Sequence, residues 1–393
     1  MKGPLSDLLV IDLSRAVAGP HAAMMLGDLG ARVIKIERPG EGDETRSWGP
    51  PFVDGSDGQQ VSTYFLTANR NKVSITLDLK SNNDLERLRQ LLAKADVLIE
   101  NFRPGVMARL GLTNQALLAL NPRLVVLAIS GFGHDGPESG RPGYDQIAQG
   151  ESGLMSVTGS RRDDPQRVGV PIADLLAACY GAYGVLAALH ERSRTGRGQI
   201  VRTSLLAAVV ASHGYQGTAW TVAGVRGEAR GNHHPSIVPY GLFHCGEGVI
   251  QIACGNDAQW RKLSGAFELD VDAGLATNPQ RVARRAEVIK ILEDAFSALT
   301  AAEVLARLEA AGVPAGLVRS IDEVYAWEQT RSQGLIIDVQ HDSLGPIQLP
   351  GPPLRFFEIS GDKEVETTLN QHQPPPLLGA DNSNLDSWLG TEH

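Results

Sequence analysis

The sequence runs to 393 residues with 36 Lys plus Arg, 45 Asp plus Glu and a formal net charge of −9, which excludes a nucleic-acid surface built on clustered excess cations. At ~150 residues per domain the length predicts two or three domains, and 42% hydrophobic with 21% charged residues is the composition of an ordinary soluble globular protein. The 3 cysteines, Cys179, Cys245 and Cys254, are too few and too scattered for a disulfide scaffold or a CxxC metal site, which predicts a reducing, cytoplasmic setting.

The chain opens MKGPLSDLLVIDLSRA, an apolar run broken by Asp7 and Asp12 that does not read as a signal peptide. No uninterrupted apolar stretch reaches ~18 residues, so no membrane span is expected. Leu8–Leu13 predicts a buried strand, and Gly19-Pro20 opens a helix through Leu29, with Pro20 suited to its first turn. Gly30 stops that helix before the strand Arg32–Glu37. Lys72–Leu79 alternates as a strand, Asn83–Ala95 has helical spacing, Val97–Glu100 is a strand, Ala116–Leu120 is helical and Leu124–Ser130 is an apolar strand. Strands separated by helices of this length predict a doubly wound, Rossmann-like, mostly parallel α/β sheet.

Pro171–Arg192 predicts one long Ala- and Leu-rich helix, Gln199–Ser204 a strand and Leu205–Ala223 a further helix. After a Gly- and His-rich stretch, Gly227–Pro239, the segment Leu242–Cys254 reads as a hairpin turning at Gly246–Gly248. Helices follow at Asp257–Phe267, Val282–Leu299 and Ala301–Ala311, which makes a smaller α+β domain. The tail carries two Pro-rich pieces, Leu349–Leu354 and Pro374–Gly379, of a kind that wraps over a surface. The expected division is a large α/β domain over 1–210, a linker over 211–239, a small domain over 240–330 and a C-terminal segment over 331–393.

Two motifs invite a dinucleotide reading. Gly131, Gly133 and Gly136 spell GxGxxG after an apolar strand, but Pro137, Gly140 and Pro142 follow, so no helix starts where a pyrophosphate would need one. Glu37 ends the second strand where a ribose-binding acid would sit, yet the turn SRAVAGP lacks the glycine spacing, and NAD is not expected. No metal motif occurs, and the adjacent His233 and His234 would point to opposite faces of a strand. Asp174 has no other charge between Arg167 and His190. Pro171 before it and an apolar helix after it suit a helix cap. A lone carboxylate in an apolar setting is also poorly solvated and more nucleophilic than in water. One oxygen held by backbone N–H groups and the other facing a cleft would satisfy both readings.

Ordered along the whole chain, the segments AVAGPHAAMMLGDLGARVIKIERPGEGDETR, NRNKVSITLDLK, ADVLIENFRPGVMARLG, GYDQIAQGESGLMSVTG, VGVPIADLLAACYGAYG, TGRGQ and PPPLLG make the protein resemble the family III CoA-transferases. That resemblance implies an interlocked homodimer with the C-terminal segment returning to the large domain, and Asp174 as the nucleophile that carries the acyl group as an anhydride and CoA as a thioester. It implies coenzyme A as a substrate and product with no permanently bound cofactor, and acyl-CoA and small carboxylic acids as partners. By the same resemblance Ala16, Val17, Ala18, Arg38, Asn101, Phe102, Val106, Arg109, Arg141 and Tyr144 line the CoA path. Racemases of this fold use a His and an Asp, and the His position is Tyr144 here, a poor base with its usual pKa of ~10. Transferase is therefore preferred, with an acyl-CoA racemase or epimerase as the alternative. The glycine loop GGGGQ of formyl-CoA transferase is absent, and RGNHHPSIVPY in its place resembles the succinyl-CoA and dicarboxylate branch. A second carboxylate needs a cationic or hydrogen-bonding receptor, for which Arg15, His21, Arg230, His233, His234 and Ser236 are candidates. Itaconate is the first expected acceptor and glutarate the second, with mesaconate, malate and citramalate behind them.

Overall fold

A computed structural model describes residues 3–390 of the chain. The chain divides into two compact units, one of Met1–Leu154, Val168–Val222 and Glu328–His393, the other of Met155–Arg167 and Ala223–Trp327.

The first unit is built on six parallel strands: β1 (Leu9–Asp12), β2 (Arg32–Glu37), β3 (Lys72–Thr76), β4 (Val97–Glu100), β5 (Val125–Ser130) and β6 (Ile200–Ser204). Their spatial order is β3-β2-β1-β4-β5-β6, so the direction of winding reverses between β1 and β4. The central strands β4 and β5, VLIE and VVLAIS, are nearly continuous apolar runs because both faces are covered. On one face pack α1 (Ala18–Asp28) and α4 (Ile172–Thr195), while α2 (Asn82–Lys94) and α3 (Asn114–Leu120) cover the other. The buried stripe of α4, Ala173, Ala177, Ala178, Gly181, Ala182, Val185 and Ala188, recurs at helical spacing and consists of small residues. That smallness lets the helix lie close to the sheet: a β-carbon on Gly181 would come within 2.9 Å of Leu127 Cδ2. By length and composition α4 could cross a membrane, against the sequence expectation, but its buried stripe packs as that of a core helix.

The second unit holds an antiparallel three-stranded sheet of Tyr240–His244, Val249–Ala253 and Ala315–Leu317, packed with helices Asp257–Ala266, Arg285–Phe296 and Ala301–Ala310. Two predicted helices are broken. Leu205–Ala223 divides into Leu205–Ala211 and Tyr215–Ala223, since Gly214 takes a left-handed φ of +55° between them. The predicted Val282–Leu299 helix is two helices, Asn278–Ala283 and Arg285–Phe296, meeting at Arg284. The first Pro-rich piece also differs from expectation. Its start belongs to a strand, Gly345–Pro350, paired antiparallel with Ile336–His341, and the proline falls at the strand end, where its missing N–H costs no ladder bond.

The tail closes the open edge of the sheet at β3. Asp381 acts as a strand partner for Ser74: its carboxylate accepts the Ser74 N–H at 3.0 Å and its own N–H donates to the Ser74 carbonyl at 3.0 Å. Asn382 Oδ1 accepts the Thr76 N–H at 2.8 Å, and Asn71 and Gln373 exchange bonds a few residues earlier. An uncovered strand edge would present unpaired N–H and C=O groups to other chains. Asp381→Ala removes the acceptor of a part-buried backbone N–H and is expected to lower unfolding stability by about 1–3 kcal/mol, read as a lower urea midpoint at unchanged slope; an unmoved midpoint would mean the tail contributes nothing to the edge.

Candidate active site

The carboxyl ends of β1 and β4 lie side by side where the winding reverses, the place at which chains leaving an open parallel sheet diverge and a crevice forms. Residues 13–17 leave β1 and residues 101–104 leave β4. Asn101 joins the two segments: its Nδ2 donates to the Arg15 carbonyl at 2.7 Å and its Oδ1 accepts the Arg15 N–H at 2.8 Å. The Arg15 guanidinium lies 5.1 Å from the centre of the Phe102 ring. Ala16 is held at φ +61°, a left-handed conformation costing a non-glycine residue roughly 1–2 kcal/mol. Its N–H donates to Asp43 Oδ1 at 3.2 Å.

Beneath these loops lies a buried ionic network. Lys72 Nζ bonds Asp12 at 2.9 Å, the Asn69 side chain at 2.8 Å and the Pro20 carbonyl at 2.8 Å. Lys35 Nζ bonds Asp43 at 2.8 Å and donates to the Ser14 carbonyl at 3.1 Å, and Ser14 Oγ donates in turn to Asp12. Burial alone would raise the Asp12 carboxyl, but Lys72 and Lys35 outweigh it and hold it below its ordinary value. Burial pushes Lys72 down to about 8 against the pull of Asp12. Glu37 receives Arg46 in a two-pronged pair at 2.8 and 2.7 Å and accepts the Asp43 N–H at 2.8 Å, which fixes the loop after β2.

The crevice is a cavity of about 250 Å³ whose lining brings together Arg15, Ala16, Val17, Ala18, Asn101, Phe102, Arg141, Tyr144 and Asp174. A second lobe of about 290 Å³ shares Arg15 and Phe102 and adds Arg38 and Val106, with Asp78 and Lys80. Arg109 stands exposed on the short helix Val106–Arg109 and lines neither lobe. His21 also lines neither. It lies on α1 itself, where burial and then Arg70 and Lys72 push its pKa down to about 4, leaving it neutral. Arg141 is exposed, paired with Glu138 at 3.0 Å and Glu151 at 2.8 Å, and lies over the Phe132 ring. Arg230, His233, His234 and Ser236 belong to the second unit and are engaged locally there. The His233 ring meets Phe243 edge-on at 5.6 Å, His234 stacks on Tyr240, and His234 Nδ1 accepts the Ser236 N–H at 3.1 Å. Among the described residues no group of three or more His, Cys, Asp or Glu is placed to hold a metal ion.

Asp174 occupies the first turn of α4, but it does not cap the helix. The cap is the carboxylate of Asp145, which accepts the N–H groups of Ala173 at 2.8 Å and Asp174 at 3.4 Å. Among the described residues no hydrogen bond reaches the Asp174 carboxylate. Burial first, and then the negative charge of Asp145, raise its pKa to about 7. Asp145 stood next to Tyr144 in the GYDQ segment, so it was visible in the sequence. Its partnership with a helix 29 positions later was not. Glu44, Trp48, Arg103 and Ser130 also line the crevice without having been expected to. The GxGxxG run is a loop: Gly131 packs against the Gly143 backbone, where a β-carbon would come within 2.7 Å, and no helix begins before Asp145.

Residues 5–382 match the model of CoA-transferase family III. The chain is 38% identical over 379 residues to the succinyl-CoA:glutarate CoA-transferase of Mus musculus, covering 96% of this chain and 84% of that protein. It is 38% identical over 394 residues to the succinate–glutarate CoA-transferase of Agrobacterium fabrum, covering 99% and 96%. A CAIB/BAIF family protein from Brucella suis superposes with a TM-score of 0.86 at 38% identity, covering 99% of this chain and all of the other. The chain belongs to the family III CoA-transferases, enzymes whose substrates are CoA thioesters.

An Asp174 carboxyl raised to about 7 is protonated below that pH and ionised above it. A pH titration of the wild-type minus Asp174→Asn infrared difference spectrum is expected to show its carboxyl band disappearing near pH 7. Asp145→Asn keeps an oxygen for the helix N–H groups, removes the repelling charge and is expected to move that transition to lower pH. A band already absent at pH 5 would contradict the burial argument.

Proposed function

We propose that the protein transfers CoA from succinyl-CoA to a dicarboxylic acid through two activated states of Asp174. The carboxylate attacks the thioester carbonyl of the donor, forming a succinyl–aspartyl anhydride and releasing CoA thiolate. The thiolate attacks the aspartyl carbonyl, giving an aspartyl–CoA thioester and free succinate. The acceptor carboxylate attacks that thioester, again forming an anhydride and thiolate, and the thiolate then takes the acceptor acyl group, restoring Asp174. The free energy of the thioester is carried in an activated acyl bond at every step and is not lost to water. The observation that carries this reading is a carboxylate without a hydrogen-bond partner among the described residues, set in the wall of the crevice at a helix N-terminus. Neutralisation by fixed hydrogen bonds would have blunted it as a nucleophile. The positive end of α4 favours the ionised form, while burial keeps it reactive.

Arg103 and Arg141 beside the crevice and Arg38 and Lys80 in the second lobe supply cations for the CoA phosphates. The route across Phe102, which lines both lobes, suits the pantetheine arm. Arg15, reaching the same crevice as Asp174, is the first candidate to meet the acceptor's second carboxylate. Two of the similar relatives are named as glutarate transferases, which supports testing glutarate before itaconate, the acceptor that overall resemblance had put first. An interlocked homodimer is part of this proposal. In the single chain Tyr183, Trp220 and Val222 are 72%, 61% and 80% exposed, and Tyr183 lines an apolar groove with Met25, Leu29, Leu186, Leu354 and Phe356. A second copy would cover that surface, and light scattering should return twice the chain mass.

Purified enzyme is expected to convert glutarate to glutaryl-CoA with succinyl-CoA as donor, and Asp174→Ala should reduce kcat by at least about 10³-fold. Hydroxylamine added during turnover should leave a hydroxamate on Asp174, detected by peptide mass. Transfer that survives the substitution would remove Asp174 from the mechanism. Exchange of the α-proton of a 2-methylacyl-CoA without transfer would make the enzyme a racemase.

A further inference from the structure

On the face of the sheet opposite α4 lies a cavity of about 260 Å³ that shares the wall residues Phe102, Arg103 and Pro104 with the crevice. Its floor is a single row of in-register residues on three adjacent strands, Glu100 on β4, Ala128 on β5 and Arg202 on β6. The apolar row one step below, Leu98, Val126 and Ile200, belongs to the core beneath α2 and α3. Replacing Leu or Val by Glu at the next level buries a carboxyl that the core does not require, so the cost of desolvating it calls for a purpose.

Glu100 is 7% exposed, and its Oε2 accepts the N–H of Phe102 at 2.9 Å. That bond turns the chain out of β4 at the residue that begins the crevice wall. Phe102 carries the Arg15 guanidinium on its ring, and Asn101 between them grips both backbone groups of Arg15. Both loops of the crevice therefore hang on the geometry that Glu100 sets, although Glu100 itself lines neither lobe. The charged and titratable groups facing it are Arg202, from β6, and His134, from the loop after β5, with Arg103 at the cavity wall. His134 lacks a hydrogen-bond partner at Nε2 among the described residues, and burial followed by Arg202 holds its pKa below the usual value, so it adds no positive charge near neutrality.

We propose that Glu100 is a positioning residue for CoA binding, whose carboxylate anchors the Phe102 N–H and thereby sets the two loops that form the CoA path. The proposal rests on the reading of the crevice as the CoA site. Burial raises Glu100 to about 7, the Phe102 N–H and Arg202 opposing the shift, so acid neutralises the anchor and alkali restores it. A neutral carboxyl is a weaker acceptor than a carboxylate, and the loops should loosen as pH falls through neutrality.

The test measures CoA affinity by calorimetry and succinyl-CoA KM and kcat from pH 6 to 8.5 for wild type, Glu100→Gln, Arg202→Met and Asp174→Asn. Glu100→Gln is expected to raise KM about 5- to 50-fold at pH 8 with kcat within about threefold, and to flatten the acid-side rise in KM that wild type shows near pH 7. Arg202→Met removes the cation that favours the ionised form and should start that rise at higher pH. Protonation of the CoA phosphates affects all variants alike and cancels in the comparison. Unchanged KM in Glu100→Gln overturns the proposal, as does a fall in kcat and thermal stability with no change in CoA affinity. If Glu100→Gln does not fold, an Arg202→Met profile superimposable on wild type overturns it. Failure of wild type and Asp174→Asn alike to bind CoA would defeat the CoA reading itself, whereas CoA binding by Asp174→Asn with turnover lost leaves the Glu100 comparison to stand or fall alone.

Discussion

Two lysine ammonium groups buried without access to water dominate the carboxyl end of the sheet. Lys35 and Lys72 rise from neighbouring strands into a space where each must find carboxylates and carbonyls, and Asp12, Asp43, Asn69, Ser14 and Pro20 supply them. Removing one partner from such a network strands a charge in a low dielectric, at about 3–5 kcal/mol, so its members hold one another in place. The loops leaving β1 and β2 are bound to it through Ser14 and Asp43. Asp43 also carries the N–H of Ala16, and through that bond the network supports a residue whose backbone would relax elsewhere. The crevice wall takes its geometry from this network, whose Lys35 and Asp43 also line the second lobe.

The carboxylates of the first unit illustrate how environment assigns roles to one functional group. Asp12 and Asp43 are buried, but cations hold them ionised, and they serve as structure. Asp145 is spent on the open N–H groups of α4. Asp174, in the first turn of the same helix, has neither a cation nor a donor among the described residues, and it is the carboxyl that burial and a like charge push toward neutral pH. The helix cap and the carboxyl with the raised pKa are thus separate residues.

Much of this was legible in advance because it is local. Apolar strands such as VVLAIS, glycine stops and the small-residue stripe of α4 announce a doubly wound sheet, and a lone acid in an apolar stretch marks Asp174. The charges of VIDL, VIKIE and NKVSI (Asp12, Lys35, Glu37 and Lys72), all buried in the sheet, were an available sign of the ionic network, since a charge in a two-sided strand must be answered nearby. What stayed hidden depends on distance along the chain. Asp145 as cap, Gly131 against Gly143 and Asp381 against Ser74 are pairings that propensity and periodicity do not encode. The helix breaks at Gly214 and Arg284 were missed because apolar spacing continued through them while the backbone did not.

The tail that closes the sheet at β3 has a consequence for synthesis. Ser74 waits for a partner that follows 307 positions later, roughly 15 to 60 s of translation at ~5–20 residues per second. During that interval the nascent first unit presents the open outer edge of Lys72–Thr76, whose inner edge is paired with β2, to whatever is near it on the ribosome. Prolonged pausing or early termination before Asp381 would release a chain with its core strands assembled and its margin adhesive, a species suited to chaperone capture or to joining another like itself. Completion of the chain therefore acts as the seal that makes each molecule self-contained at that edge.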